Sequence, residues 1–127
     1  VGEEKLSELM RKAWIYINPR TLKHEGNSRN FPSKILRYLE YGKPIISTWT
    51  QGLSPIYRDH FIIVENDTPI ALQKAIDTAA SWSPNEYNAW CFKSKRLASL
   101  KLWSEQAQRF LDWVYSDVIP KFNTSVV

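Results

Sequence analysis

The chain has 127 residues, 43% of them hydrophobic and 24% charged, which is sufficient for one domain with its own core and ordinary for a globular protein. A net charge of +4 favours anionic partners such as phosphate, but the Lys and Arg residues are scattered and form no run. With a single cysteine, Cys91, the chain cannot form an internal disulfide, and no apolar run is long enough to span a membrane.

The first elements predicted along the chain are a helix, a strand and a polar loop. Residues 3–12 have the amphipathic period of a helix, and the apolar run WIYIN at 14–18 predicts a strand that Pro19 stops. Residues 20–30 are polar, contain Gly26 and are predicted to be a loop. Because this loop is long, it is a candidate for a functional role.

The segment FPSKILRYLEYGKPIIST, residues 31–48, predicts a helix followed by a buried strand. Pro32 suits the first helical position because its φ is fixed and it has no N–H. Gly42 is expected just beyond the end of the helix, in the left-handed conformation. Residues 44–48 then form the strand. The predicted buried stripe of the helix consists of Ile35, Leu36 and Leu39.

The rest of the chain predicts one more strand and three helices. The strand covers residues 61–65. The first helix begins at Pro69 with Thr68 as its N-cap, the second covers residues 84–97, and the third runs to about residue 118 with Ser104 as its N-cap. We expect Trp103, Phe110 and Trp113 to pack the last helix against the body.

These elements predict an α/β fold with a parallel sheet of about three strands flanked by helices, within one domain that spans residues 1–127. A sheet this small looks like the second half of a doubly wound domain. Its first strand would then expose an edge at Ile15 and Ile17, through which the chain is expected to self-associate.

The carboxyl ends of parallel strands are where such sheets bind ligands. The helix predicted to begin at Pro32 would point the N–H groups of Ser33, Lys34 and Ile35 toward that edge, where they favour an anion such as phosphate. The alternative is an ordinary helix start with a solvated lysine. The segments expected to converge at the edge are residues 18–31, 48–53 and 65–68.

Further residues of these segments are candidates for ligand contacts. Arg20 and Arg29 lie close in sequence to the helix start, and the remaining candidates for the loop are Asn18, His24, Glu25 and Thr48. For Asn18 and Arg20 a role in bracing the loop is equally reasonable, and His24 could simply be a solvated loop residue. Because no His/Cys cluster has ligand spacing, we expect no metal and no other cofactor.

The segment FPSKILRYLEYGKPIIST resembles the nucleotide-sugar-binding segment of the group 1 family of GT-B glycosyltransferases, in their C-terminal Rossmann-like domain. AWIYINPR is similar to the strand before the donor loop of that family. FIIVENDTPIALQKAI resembles the last strand and its helix, and LWSEQAQRFLDWV the C-terminal helix. The resemblance covers nearly the whole chain in the right order and implies the second half of that domain.

Carried over position by position, the resemblance implies that Arg29 and Asn30 face the donor sugar. The residues that would contact the sugar and the diphosphate are Phe31, Pro32, Ser33 and Lys34. Many members of the family have two glutamates eight residues apart, one for the sugar and one for the ribose. Arg29 and Arg37 occupy those positions in this chain.

The resemblance implies an enzyme that transfers a sugar from a nucleotide-sugar donor to a glycan or lipid-linked acceptor without a metal. Such an enzyme would be cytoplasmic, and it could also associate with the inner face of the membrane. Because the acceptor domain and the first half of the donor domain are absent, this part alone is predicted to be inactive. A degenerate, non-catalytic nucleotide- or partner-binding module is the alternative. Nucleic acid is not an expected partner, since the basic residues form no stripe.

Overall fold

The computed structural model describes residues 2–124, which form an α/β fold with a three-stranded parallel sheet flanked by helices, as the sequence predicts. The strands lie side by side in chain order and are β1 (Tyr16–Asn18), β2 (Ile45–Thr48) and β3 (Ile62–Val64). The helices are α1 (Glu3–Lys12), α2 (Glu25–Arg29), α3 (Lys34–Glu40), α4 (Pro69–Ala80), α5 (Pro84–Leu100), α6 (Trp103–Trp113) and α7 (Ile119–Thr124). A 3-10 turn covers Pro55–Tyr57 and a π-helical segment covers Val114–Val118.

The central strand β2 is buried over its whole length and on both faces. Ile45 belongs to one apolar cluster and Ile46 to another, because successive side chains of a strand point to opposite sides of the sheet. β1 pairs with it in the register Tyr16–Ile45, and β3 pairs in the register Ile46–Ile62. A parallel sheet covered on both sides requires this continuous apolar strand.

The larger cluster lies on the face of the sheet covered by α1, α3 and α5. The connection between β2 and β3 contains no α-helix, and it fills part of this face with Leu53, Tyr57 and Phe61. In most parallel sheets a crossover helix between the strands supplies such apolar side chains, whereas here the loop between β2 and β3 supplies them. Its other buried members are Met10, Tyr16, Ile35, Leu39, Ile45 and Leu97.

The opposite face is covered by α4, whose start the sequence predicts correctly. The hydroxyl of Thr68 accepts a hydrogen bond from the N–H of Ala71 at 3.2 Å, and Pro69 follows at the first helical position. Ala79 near the end of α4 is fully buried in a cluster with Ile46 and Val64. Both faces of the sheet are thus closed.

Several predicted boundaries are wrong. The polar loop at 20–30 contains α2, a single short helix without apolar period. α3 begins at Lys34 rather than at Pro32, because the buried Pro32 lies in a tight turn that precedes the helix. Leu36 in α3 is 47% exposed and does not belong to the buried stripe. Gly42 has the expected positive φ of 60°.

The last helix departs most from expectation. Its N-cap is Leu102 rather than Ser104. Helical backbone does not end at Val118, where the π-helical segment ends, but continues into α7. Trp103, Phe110 and Trp113 do not pack it against the body, because they are 90%, 61% and 52% exposed. No helix among the described residues is long and apolar enough to cross a membrane.

Leu97→Ala tests whether the cluster beneath α5 holds the fold together. Leu97 is fully buried, so its truncation is expected to lower the free energy of unfolding by about 2–5 kcal/mol. Urea denaturation measures the change. Leu36→Ala is the control, expected to cost about 1 kcal/mol or less because its side chain is about half exposed. Equal losses in both variants would contradict this packing.

Candidate functional site

The three segments that follow the strands converge at the carboxyl edge of the sheet, as predicted. The backbone N–H of Arg20, after β1, donates to the hydroxyl of Thr48 at the end of β2 at 3.0 Å. Asp67, after β3, accepts at Oδ2 from the Thr21 hydroxyl at 2.8 Å and from the Leu22 N–H at 2.7 Å. The edge is therefore cross-linked from β1 to β3 by side chains.

A second set of contacts joins the loop after β2 to the segment before α3. The backbone N–H of Gln51 donates to the carbonyl of Ser28 at 2.7 Å, and the hydroxyl of Thr50 donates to the carbonyl of Asn30 at 3.0 Å. Thr50 is 1% exposed, so the latter hydrogen bond is shielded from water. We call residues 50–52 and 28–31, together, the loop clamp.

Gly52 completes the loop clamp by allowing the two backbones to touch. A Cβ at this position would lie 2.5 Å from the carbonyl carbon of Asn30 and 2.5 Å from the nitrogen of Phe31. Those atoms belong to backbone and cannot rotate away as a side chain can. The position therefore requires glycine because of space, and the φ of Gly52 is not in the left-handed region.

The first turn of α3 offers fewer free amides than predicted. The N–H of Ile35 is not available, because it donates to the carbonyl of Pro32 at 3.0 Å. The N–H groups of Ser33 and Lys34 find no acceptor among residues 2–124, and no side chain caps the helix. Both residues are exposed. Two amides, one hydroxyl and one ammonium thus remain accessible here.

Arg29 and Arg37 have different partners. Arg29 forms an ion pair with Glu25 at 3.0 Å within α2, and both side chains are largely exposed. Arg37 binds the carboxylate of Glu3 on α1, and this hydrogen bond raises the pKa of Arg37. The structure therefore directs Arg37 to α1, whereas Arg29 stays within the loop clamp.

Other predicted site residues divide into braces and exposed groups. Asn18 is 5% exposed and its amide donates to the hydroxyl of Ser47 at 3.0 Å, which makes it a brace between β1 and β2. Thr48 is likewise buried and accepts the Arg20 N–H described above. Pro32 is buried beneath the loop. The exposed members are His24, Glu25, Asn30 and Phe31.

A cavity of about 240 Å³ opens at the same edge on the α4 side of the sheet. Arg20 and Asp67 bring one charge of each sign to its lining, and Val64 and Leu72 contribute apolar surface. Ser33 and Lys34 do not line it. The sequence places the segments 48–53 and 65–68 at this edge but does not single out Thr50, Gln51 or Asp67. Thr50 and Gln51 bind backbone carbonyls about twenty residues away, and Gly52 was the available signal for that contact.

Within the described part of the chain, no three His, Cys, Asp or Glu side chains come together as a potential metal site. No family model, no curated protein and no solved structure matches the chain.

Gly52→Ala tests the close approach in the loop clamp. The added methyl group must displace the backbone of residues 29–31, so we expect a loss of about 1–3 kcal/mol in the free energy of unfolding. Gly26→Ala is the matched control, because a Cβ there meets nothing within 4 Å and alanine favours the helix. Chemical denaturation of both variants checks the difference, and a Gly52→Ala protein as stable as the parent would refute the contact.

Asp67→Asn tests the cross-link between β1 and β3 through its pH dependence. Hydrogen bonds from the Leu22 N–H and the Thr21 hydroxyl lower the pKa of Asp67 in the folded chain. The resulting stabilisation is complete above the unfolded pKa of about 3.9 and is lost as the pH falls through the lower folded pKa.

The stability difference between the parent and Asp67→Asn is therefore expected to stay constant from about pH 7 to about pH 5 and to shrink as the pH falls further through the unfolded and folded pKa values, as measured by urea unfolding. Residual acid destabilisation of the variant is expected from Glu8 and Glu86, whose pKa values are also lowered by hydrogen bonds. A difference that stays constant with pH would show that Asp67 does not act as an ionised acceptor.

Proposed function

We propose that this chain is the donor-binding half-domain of a glycosyltransferase and holds the diphosphate of a nucleotide-sugar donor at the carboxyl edge of its sheet. The whole protein would transfer the sugar to a glycan or lipid-linked acceptor. The proposal rests on the resemblance of residues 31–48 and their neighbours to group 1 GT-B enzymes, and on one structural observation: the loop clamp holds the segment that leads into an uncapped, exposed helix start.

Phosphate recognition at this turn depends on individual donors more than on the helix dipole. α3 has only seven residues, so its macrodipole is short. The amides of Ser33 and Lys34, the Ser33 hydroxyl and the Lys34 ammonium together provide directional donors and a charge. During transfer, negative charge grows on the departing diphosphate, and such donors stabilise it without a metal.

Arg29 is a further donor that a ligand can recruit. An ion pair between side chains as exposed as those of Arg29 and Glu25 contributes only about 0–1 kcal/mol. A diphosphate with its greater charge can therefore compete with Glu25 for the guanidinium. Arg37 is less available, because it is held by Glu3.

The pairing of Arg37 with Glu3 also favours a second function, a non-catalytic module that binds nucleotide or a partner. In the family, the position of Arg37 is a glutamate that contacts the ribose, and here the side chain is directed to α1. A protein that binds nucleoside diphosphate but shows neither transfer nor hydrolysis across a panel of nucleotide sugars would fit this second function.

Lys34→Ala is expected to weaken the binding of UDP or GDP about fivefold to tenfold, because an exposed charge-assisted hydrogen bond contributes about 1–1.4 kcal/mol. Calorimetry measures the affinity. Lys43→Ala is the control, since Lys43 precedes β2 and lies at the opposite end of that strand. If both variants bind like the parent, the diphosphate does not lie at the start of α3.

A further inference from the structure

A groove of about 800 Å³ lies between α5 and the turn that leads into β3. The turn contributes Arg58, Asp59 and His60 to its lining, and α5 contributes Lys93 and Arg96. These two sets of residues are far apart in the chain, where the basic residues look scattered. Only the fold brings their charges together.

The charged residues give the groove a positive lining. Three cations stand against one carboxylate, which leaves a net charge of +2 when His60 is neutral. No ion pair joins Asp59 to a cation within residues 2–124, so its carboxylate occupies none of them by direct contact. An anion is therefore the kind of ligand that this groove attracts.

Two of the three cations are available to such a ligand. Arg58 is less available, because it forms an ion pair with Glu65 at 2.6 Å. The ammonium of Lys93 lies 4.0 Å from the centre of the Trp90 ring, a contact that leaves its N–H donors without an acceptor. The guanidinium of Arg96 has no partner among the described residues. Its planar set of N–H donors matches the oxygens of a phosphate.

His60 adds a polar atom to the same lining. Its Nδ1 lies 2.7 Å from the carbonyl oxygen of Ile56, which can only accept, so Nδ1 carries the hydrogen. Nε2, on the other side of the ring, makes no hydrogen bond with residues 2–124. In the neutral ring Nε2 accepts a hydrogen bond, and in the protonated ring it donates one.

Apolar surface lies beside these charges. Phe92 is 65% exposed and lines the groove four residues before Arg96, so the two side chains share one side of α5. Ile56 and Leu100 extend the apolar surface. A molecule that binds Arg96 can therefore also lay a planar ring against Phe92.

We propose that this groove binds a phosphate monoester carried on a planar ring. Such a monoester has a charge of about −1.5 to −2 at pH 7, which matches the net charge of the lining, whereas a single carboxylate would leave part of it uncompensated. The volume of the groove falls in the range of small-molecule sites, about 300–1,000 Å³. Ser33 and Lys34 do not line the groove, so this inference does not depend on the proposed function.

An NMR titration of the whole 127-residue chain with phenyl phosphate tests the proposal. The expected dissociation constant is on the order of 0.1–1 mM, as for a very small ligand. Inorganic phosphate is expected to bind about threefold to tenfold more weakly, because it has no ring to contact Phe92. Phe92→Ala is expected to remove this difference while leaving the affinity for inorganic phosphate unchanged.

Charge substitutions test the cations of the groove. Arg96→Gln is expected to weaken the binding of phenyl phosphate about tenfold, because it removes a charge-assisted hydrogen bond. Asp59→Asn has the opposite sign and is expected to strengthen binding about twofold, because it removes a like charge. Lys95→Gln is the matched control, since it removes one cation from a neighbouring position of α5 that does not line the groove. Circular dichroism confirms that each variant is folded.

The control is expected to bind phenyl phosphate within about twofold of the parent, because salt screens an exposed charge outside the groove. Equal losses in Arg96→Gln and Lys95→Gln would show that only the net charge of the chain matters, and would overturn the proposal. So would a parent that shows no saturable binding, or that binds inorganic phosphate as tightly as phenyl phosphate. Displacement of phenyl phosphate by UDP that is abolished in Lys34→Ala would assign the ligand to the start of α3 instead of the groove.

Discussion

The burial of β2 on both faces is the constraint on which the rest of the structure depends. A strand whose neighbouring residues Ile45 and Ile46 are both fully buried needs an apolar layer on each side of the sheet. α4 supplies one layer. On the other side, α1, α3 and α5 leave a space that the connection between β2 and β3 fills with Leu53, Tyr57 and Phe61.

This use of a loop as core material explains how the carboxyl edge is organised. The connection leaves the end of β2 and turns back under the sheet, and its first residues run along the segment before α3. There the buried Thr50 and the bare backbone of Gly52 fix the course of residues 28–31. A segment already ordered loses less conformational entropy when it binds a ligand. The connection between β2 and β3 therefore determines both the packing of the core and the shape of the candidate site.

The sequence predicts those parts of the fold that local chemistry determines. The strands follow from β-branched apolar runs, Gly42 from its place just beyond the end of a helix, and the start of α4 from Thr68 as its cap. α2 has no apolar period to reveal it. The loop clamp could not be predicted, because its hydrogen bonds join backbone carbonyls to an N–H and a hydroxyl about twenty residues away. Helical period shows that α6 has an apolar face, but it does not show what covers that face.

Arginine at position 29 changes what the carboxyl edge can recognise. A glutamate there accepts hydrogen bonds from sugar hydroxyls and repels phosphate, whereas a guanidinium donates to phosphate oxygens. In the free chain Arg29 is neutralised by Glu25, so neither group is committed to a ligand. A diphosphate that draws Arg29 away would at the same time release the carboxylate of Glu25, which lies one helical turn earlier and can then accept hydroxyls. Under the proposed function, the ion pair would couple recognition of the phosphate by Arg29 to recognition of the sugar by Glu25.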